Sequence, residues 1–349
     1  MRRFFLFLSL GLLVAACTPP NAEPPPAMVA QRADPLTQRL TSINAAVFDP
    51  KAATAPNAPD ALLIRAEILM ARARFSPGVI DGRAGSNLIH ALKAYQTVRQ
   101  LSPTGALDAQ TWNALLSEPN ARRPAVGPYV ITAQDVAGPF APDVGEDFVK
   151  LAALPQGPLY STPLEALAER FHMSQILLTT LNPGVDFRTA GVRIIVADTA
   201  APPLKKGDVA KIEVSKAGAA VLAYDHAGEV IAVYPATVGS TERPSPTGTH
   251  RINGVARNPD YIYDPAKLNW GPRSHGRFRI KPGPKNPVGV VWIDLNAPSY
   301  GIHGSPDPNL IGKTASHGCV RLTNWDVQAL AAGVRPGVMV HFEGERAGG

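Results

Sequence analysis

From about residue 208 onward, the chain is a series of short strand-like runs, and this pattern restricts the folds that its C-terminal part can adopt. Beyond this point the chain consists of short runs rich in β-branched residues, several alternating apolar with polar, separated by Gly, Pro, Asn and Asp. Alternate residues of a strand face opposite sides of a sheet, so such runs bury one face by pairing with each other. We therefore predict an all-β domain of sandwich or barrel type over residues 208–343. The runs that support it are AKIEVSK, AVLAYD, EVIAVYPATVG, GTHRI, GVVWIDL and VMVHFE.

Proline-rich segments divide the rest of the chain into smaller pieces. The 349 residues exceed the length of one typical domain, and many of the 35 prolines are clustered. The composition of residues 17–58 predicts a mostly flexible tether, and residues 119–127 and 201–208 have the composition of linkers. Two further folded modules are therefore expected, over residues 59–118 and 128–198.

The two modules have different patterns. In residues 59–118, apolar residues recur at helical spacing, and the turns SPGVIDGRAG and SPTGALD separate three candidate helices, which predicts a small three-helix bundle. Residues 128–198 contain two helical segments, STPLEALAERF and QILLTTLN, and then the strand-like run GVRIIVAD. This second module is therefore predicted to be α+β.

The first sixteen residues have the pattern of an export signal rather than of a folded element. Two arginines precede an apolar stretch that is too short to span a bilayer, and small residues then lead to Cys17 in the sequence VAAC. This resembles a bacterial lipobox, which implies that residues 1–16 are a lipoprotein signal peptide and that a lipid on Cys17 anchors the protein to a membrane in the periplasm. Thr18 in place of an acidic residue favours the outer membrane. The alternatives are an ordinary signal peptide with a chance cysteine and a Cys17–Cys319 disulfide.

The charge of the chain bears on its partners. The formal net charge is +6, and no run of five or more Lys or Arg occurs in the sequence. Nucleic acid is therefore not expected as a partner. A mild positive surplus suits an anionic cell-wall polymer without identifying one.

The stretch IHGSPDPNLIGKTASHGCVRL, residues 302–322, holds two histidines and one of the two cysteines. A cysteine attacks as its thiolate, and a neighbouring histidine can take the thiol proton and return it to a leaving amine. His317 lies two residues from Cys319, a spacing that strains direct proton transfer. His303 is sixteen residues away from Cys319 and becomes the better base if the strands that carry the two pair side by side. Gly318 permits a tight bend, which could aim the amides of Gly318 and Cys319 at one oxyanion.

Three other interpretations of this stretch remain open on the residues alone. A zinc site could use His303, His317 and Cys319, although no ligand spacing typical of zinc supports it. Cys319 could also be a buried inert residue beside structural histidines. A redox thiol would lack a resolving partner if Cys17 is acylated.

The same stretch resembles the active-site signature of the L,D-transpeptidases, in which a His-Gly is followed after a gap by Ser-His-Gly-Cys, an apolar residue and Arg. PATVGSTERPSPTGTHRI and NPVGVVWIDL resemble the family's upstream strands, so the resemblance covers about residues 208–343. The helical module resembles the peptidoglycan-binding three-helix domain, and residues 128–198 resemble a LysM carbohydrate-binding module. Residues 128–198 lack the sequence GDTL that usually opens a LysM module, and residues 131–160 precede the two helices of the segment. The residues that carry the helical resemblance are Asp81, Gly82, Ala91, Tyr95, Gln96, Thr104, Gly105, Leu107, Asp108, Thr111, Trp112 and Leu115.

The resemblance implies roles for particular residues. Cys319 is expected to be the nucleophile and His303 the general base, with the carbonyl of Gly304 or a nearby backbone oxygen orienting the imidazole. Ser316 and His317 are expected to support the site.

On the same resemblance, the amides of Gly318 and Cys319 would form the oxyanion hole. Arg321 would bind a carboxylate of the peptide stem, unless it forms only a surface salt bridge. Residues 253–287 form an insertion too long for a hairpin loop, and its aromatic residues would wall the substrate channel or form a small core of their own. The aromatic candidates for substrate contact are Tyr261, Tyr263, Trp270 and Tyr300.

The expected reaction is attack of Cys319 on the bond between diaminopimelate and the terminal D-alanine of a tetrapeptide stem of peptidoglycan. A thioester forms and passes to an amine acceptor, either another stem or an outer-membrane protein, with no metal or other cofactor. Carbapenem-type β-lactams are expected to acylate Cys319. The alternatives are an L,D-carboxypeptidase or endopeptidase, in which water accepts the acyl group, and a wall-binding scaffold without catalysis.

Overall fold

The computed structural model describes residues 34–51, 58–266 and 275–344. The predictions for Cys17 and Trp270 lie outside these residues. None of the helices in the described part of the chain combines the length and apolar character that crossing a bilayer requires.

The first module is the predicted three-helix unit. Each of its apolar faces turns inward, so that Leu69, Tyr95, Trp112 and Leu115 are almost fully buried in one core. Asp60 and Asp108 accept hydrogen bonds from the first free amides of the helices that they precede, which fixes where those helices begin. The helices are α2 (Ala61–Arg72), α3 (Ser86–Val98) and α4 (Ala109–Leu116).

The second module is α+β, as its sequence pattern predicts. Its two strands pair antiparallel from Val126 opposite Ala197 to Val130 opposite Arg193. Two of the helices that lie between them in the chain, Pro163–Arg170 and Gln175–Leu181, pack their apolar faces into a core with Ile194 and Ile195. Its elements are β1 (Val126–Val130), α5 (Ala133–Ala137), α6 (Phe148–Ala153), α7 (Pro163–Arg170), α8 (Gln175–Leu181) and β2 (Arg193–Ala197).

The prediction of a flexible tether over residues 17–58 is wrong for its central part. Pro35–Asn44 form a helix, α1, whose Ile43 is 2% exposed and belongs to the core of the second module. Leu36, Leu40 and Ile43 recur at helical spacing, and this apolar stripe docks the helix. Asn44 adds two hydrogen bonds of 3.0 Å to the backbone of Val126. The proline content of the segment hid this short amphipathic pattern.

The C-terminal domain contains one curled sheet of eight strands, in the order β11-β10-β9-β6-β12-β3-β4-β5, which confirms the all-β prediction. A late helix, Asn324–Gly333, packs its Val327 and Leu330 against the apolar side of the sheet. A separate hairpin, β7 with β8, is formed by the predicted insertion. The elements are β3 (Lys211–Ser215), β4 (Ala220–Tyr224), β5 (Val230–Pro235), β6 (Gly248–Arg257), β7 (Tyr261–Tyr263), β8 (Phe278–Ile280), β9 (Val291–Leu295), β10 (Gly301–His303), a 3-10 turn (Pro308–Leu310), β11 (Val320–Arg321), α9 (Asn324–Gly333) and β12 (Met339–Glu343).

The helical module is joined to this sheet along its edge strand β5. The amide of Ser76 donates to the carbonyl of Val233 at 2.8 Å, and the amide of Val233 donates to the carbonyl of Arg74 at 2.8 Å. The hydroxyl of Ser76 also donates to a carboxylate oxygen of Asp326 at 2.9 Å, and both side chains are buried. Burial raises the pKa of Asp326 to about 7.

The raised pKa of Asp326 predicts how the stability of the fold changes with pH. The folded chain holds this proton more tightly than the unfolded chain, whose Asp titrates near pH 4, so Asp326 lowers the free energy of unfolding as pH rises from about 4 to about 7. Asp326→Asn keeps an oxygen to accept from Ser76 and carries no charge. The stability of this variant is compared with that of the unmodified protein at each pH. The difference in free energy of unfolding, variant minus unmodified protein, should therefore be greater at about pH 8 than at about pH 5, by on the order of 2 kcal/mol. Urea unfolding at both pH values measures this, and an equal difference at both would contradict it.

Candidate active site

The pairing of β10 with β11 brings together the residues that the sequence singled out. The strands are parallel, with His303 in register with Arg321, and Cys319 lies one residue before β11. Residues in register on neighbouring strands share a face, and so do residues two apart on one strand. His303, Cys319 and Arg321 therefore face the same side, and all three line one cavity of about 250 Å³. From the sequence, His303 could meet Cys319 only if their strands pair. The structure contains this pairing.

The imidazole of His303 is held in one orientation. Its Nδ1 lies 2.7 Å from the carbonyl oxygen of Gly304, which can only accept, so Nδ1 carries the proton and Nε2 is left as the basic nitrogen. Trp292, opposite His303 on β9, stacks on the imidazole with ring centroids 5.4 Å apart. Gly301 makes room for this ring, because a Cβ there would lie 2.6 Å from Trp292. The predicted contact with the Gly304 carbonyl is present.

Asn324 packs against the backbone that carries this carbonyl. Its Oδ1 accepts from the amide of Val290 at 3.1 Å, and its Nδ2 donates to the carboxylate of Glu169 and to the carbonyl of Pro284. Gly304 packs so closely that a Cβ there would lie 2.2 Å from Oδ1. The parts played by Asn324 and Trp292 were not predicted from the sequence. The only signals were that Asn324 opens the late helix and that Trp292 alternates with apolar residues in its strand.

The thiol of Cys319 is largely enclosed and uncharged at rest. Burial raises its pKa, an effect only partly offset by the amide of Gly301 and the charge of Arg321. Burial, and then the charge of Arg321, lowers the pKa of His303 to about 3. Sγ lies 3.6 Å from the carbonyl oxygen of Ser299. Near neutral pH the resting pair is therefore thiol and neutral imidazole rather than thiolate and imidazolium.

This resting state predicts the pH dependence of alkylation at Cys319. Because the pKa of the thiol is raised, the rate with iodoacetamide should increase with pH and reach its midpoint above the usual value of about 8.5. A preformed pair of thiolate and imidazolium would instead give an alkylation rate that stays constant from neutral into acidic pH. Stopped-time alkylation read by intact-protein mass spectrometry distinguishes the two, and rapid alkylation at about pH 5 would contradict the neutral pair.

The turn before Cys319 is stabilised by Ser316. Its hydroxyl donates to the carbonyl of Cys319 at 2.5 Å and accepts from the amide of Gly318 at 3.0 Å. Gly318 has a φ of +120° and its carbonyl accepts from the hydroxyl of Ser245 at 2.8 Å. The predicted use of the Gly318 amide in an oxyanion hole is therefore corrected, because that amide already donates to Ser316. No acceptor for the Cys319 amide occurs among the described residues, so it remains the candidate donor.

Arg321 and His317 lie where the cavity at Cys319 meets a second cavity of about 220 Å³, and both residues line both cavities. The Nε of Arg321 is buried without a hydrogen-bond partner in the described part of the chain. The ring of His317 is exposed, and partial burial and the charges of Arg321 and Arg243 lower its pKa. Arg321 is therefore poised for an anion, whereas His317 lies at the rim.

The aromatic candidates separate into two groups. Tyr261 lines the cavity with Cys319. Tyr263 is fully buried and stacks on Phe278 at 4.8 Å, so the prediction that it binds substrate is wrong and it belongs to the small core of the insertion. Tyr300 packs on Gly318, where a Cβ would lie 2.7 Å from its ring, and is not among the residues that line the cavity. Its ring therefore supports the turn, and its contact with substrate stays a prediction.

The zinc alternative is not supported by the geometry. Within the described residues, no group of three or more His, Cys, Asp or Glu side chains is arranged to hold a metal ion. His303, His317 and Cys319 therefore do not form the cluster that this alternative requires.

Comparison with known proteins matches both the C-terminal and the helical part of the chain. Residues 210–341 match the family described as L,D-transpeptidase catalytic domain, and residues 63–115 match the putative peptidoglycan binding domain. A putative L,D-transpeptidase of Bacillus licheniformis is 30% identical over 181 residues, which cover 51% of this chain and 91% of the relative. A probable L,D-transpeptidase of Escherichia coli K12 is 28% identical over 62% of this chain and 72% of its own.

A solved structure of L,D-transpeptidase 3 from Mycobacterium tuberculosis is 17% identical, with a TM-score of 0.33 over 44% of this chain and 67% of that one. The cavity around His303 and Cys319 is lined by Phe148 and by residues of the C-terminal domain. All of the latter lie within the family match at 210–341. With a relative matched over nine-tenths of its length, this places the chain in the L,D-transpeptidase family.

Proposed function

We propose that this protein is a peptidoglycan L,D-transpeptidase that uses Cys319 as its nucleophile and His303 as its general base. The observation that carries the proposal is the shared face of β10 and β11, which lines one cavity with both side chains. The basic Nε2 of His303 is left for the thiol, because Nδ1 donates to Gly304. The putative peptidoglycan binding domain at residues 63–115 supports the choice of polymer.

The first half-reaction forms a thioester. Nε2 of His303 takes the thiol proton as Sγ attacks the carbonyl between the L-centre of diaminopimelate and the terminal D-alanine. The oxyanion of the tetrahedral intermediate accepts from the amide of Cys319, with no help from Gly318. The carbon–nitrogen bond then breaks, and the imidazolium returns its proton to the amine of D-alanine, which leaves.

The second half-reaction regenerates the thiol. An acceptor amine attacks the thioester carbonyl and loses its proton to His303, and the carbon–sulfur bond breaks as Sγ takes that proton back. The acceptor in this proposal is the amine of a second stem, which gives a cross-link between two diaminopimelate residues. Water, or an amine of the terminal residue of an outer-membrane protein, would complete the same chemistry.

The neutral resting pair fits this sequence of steps. The uncharged thiol and imidazole need no compensating ions in a buried cavity, and charge appears only when substrate displaces water and the proton moves. Ser316 holds the turn before Cys319 and the carbonyl of Gly304 orients His303, so the reacting atoms need little rearrangement.

The location of the protein is part of the same proposal. A lipid on Cys17 would place the enzyme at a membrane of the periplasm, and Thr18 favours the outer one. Glycan binding by the α+β module over residues 128–198 is proposed on its resemblance to LysM alone.

Purified sacculi incubated with the protein, then digested and resolved by mass, test the proposal. New cross-links between diaminopimelate residues are expected with the unmodified protein and none with Cys319→Ala. Trimmed stems without new cross-links would identify water as the acceptor and the protein as a carboxypeptidase. Unchanged muropeptides, with donor and acceptor stems present, would contradict the enzymatic proposal.

A further inference from the structure

Residues outside the C-terminal domain line the cavities beside Cys319. Phe148, the first residue of α6, lines both the cavity at Cys319 and the adjoining one of about 220 Å³. Its ring packs edge-on against Tyr261 at 5.5 Å and against Tyr263 at 5.9 Å. The second module therefore supplies part of the wall of the active site, through residues 131–160, the segment that its resemblance to LysM leaves unexplained.

This segment is held against the C-terminal domain by specific contacts. Nζ of Lys281 donates to the carbonyl of Pro155 at 2.6 Å, and the amide of Lys285 donates to the carbonyl of Pro158 at 3.0 Å. Gly283 packs on the same backbone, since a Cβ there would lie 2.4 Å from the carbonyl oxygen of Pro158. The wall is therefore fixed in place by hydrogen bonds and close packing.

Some of the charged side chains that line the adjoining cavity have partners within the protein, and others form no ion pair. Nζ of Lys285 lies 3.2 Å from Asp143 and 3.0 Å from Glu165, so its charge is compensated. The carboxylate of Asp307 accepts from Asn309 and caps a turn. Glu146 and Arg321 also line the cavity. In the described part of the chain neither enters an ion pair, and Nε of Arg321 is buried without a partner.

His317 also lines this cavity, and the charge of Glu146 partly offsets the lowering of its pKa. Arg321 and Glu146, which form no ion pair with each other, match a ligand that carries both charges. A carboxylate of the ligand would bind the guanidinium of Arg321, and an ammonium would bind the carboxylate of Glu146. A volume of about 220 Å³ suits one end of a side chain rather than a whole ligand. The cavity shares Arg321 with the one at Cys319, so its occupant lies next to the carbonyl that is attacked.

We propose that this cavity binds the zwitterionic end of the diaminopimelate side chain of the donor stem, and that Glu146, from the second module, is a specificity-determining residue for its ammonium group. This inference rests on the proposed function. It assigns to residues 131–160 a part in substrate selection, and it makes the pairing of the two modules a requirement for choosing the donor.

The test compares the donor half-reaction of the full chain on two tetrapeptides, one with unmodified diaminopimelate and one acetylated on the side-chain amine. Release of D-alanine measures kcat and KM without regard to the acceptor. Glu146→Gln should raise KM for the unmodified stem about 10-fold with little change in kcat, and should leave KM for the acetylated stem as in the unmodified protein. Glu229→Gln, which removes an exposed carboxylate on a distant hairpin, is the matched control.

Each other outcome has a definite meaning. An equal rise of KM on both stems would show a merely structural role for Glu146 and would overturn the inference, as would an unchanged KM on both. Equal use of the two stems by the unmodified protein would overturn it as well. Absence of D-alanine release from either stem by the unmodified protein would contradict the proposed function itself, which is a separate result.

Discussion

Cys319→Ala is expected to abolish release of D-alanine from tetrapeptide stems, with a loss of roughly 10⁴-fold or more in kcat/KM. The reason is that Cys319 supplies the only thiol among the described residues that line the cavity, whereas His303 is committed to Gly304 through Nδ1 and the hydroxyl of Ser316 donates to the backbone of Cys319. The measurement is D-alanine release, with the thermal melting temperature as a check on folding. The substitution leaves the backbone bonds of the turn in place, so folding should be retained.

The same variant tests the covalent step directly. A carbapenem should add its mass to the unmodified protein and leave Cys319→Ala unchanged in intact-protein spectra. An equal adduct on both would place the nucleophile elsewhere, and residual D-alanine release above about one per cent in a clean preparation would do the same.

His303→Gln should lower kcat by about 10² to 10⁴-fold, the usual contribution of a positioned general base. Glutamine fills much of the buried site beside Trp292 yet cannot take the thiol proton. Alkylation at high pH should be much less affected than kcat, because solvent then removes the proton in place of His303. Stopped-flow release of D-alanine and the alkylation rate, measured on the same preparation, separate loss of the base from loss of the nucleophile.

His317→Gln is the matched comparison, since it removes the histidine nearest to Cys319 in sequence. The exposed position of His317 at the rim predicts a smaller loss than that of His303→Gln. A larger loss in His317→Gln would reverse the assignment of the base.

The chemistry of the site could be predicted from sequence where a local pattern carries it. The alternating runs predicted the strands, while the pairing that brings His303 to Cys319 was a condition that the sequence left open. The role of the Gly304 carbonyl was anticipated through the resemblance to the family. Each of these depends on residues that are close in sequence or joined by one pairing of strands.

Features that depend on distant packing could not be predicted. Asn324 supports Gly304 only because α9 folds back over β10, and Phe148 reaches the cavity only because two modules dock. The Gly318 amide was assigned to the oxyanion hole because its local bend allows it, but the hydroxyl of Ser316 competes for that amide in the folded chain. Tyr263 differs from Tyr261 by two residues in the same hairpin, yet burial against Phe278 gives it a different role.

The segment around Ser76, hydrogen-bonded to β5, has a practical consequence for anyone who isolates the C-terminal domain. In the whole chain the outer edge of β5 is paired with Arg74 and Ser76. A fragment that begins near residue 208 would expose that row of amides and carbonyls, a template on which a second copy can add a strand. Such a fragment should self-associate and precipitate, whereas a fragment that begins before α2 should stay monomeric, so the helical module also protects the enzyme against its own aggregation.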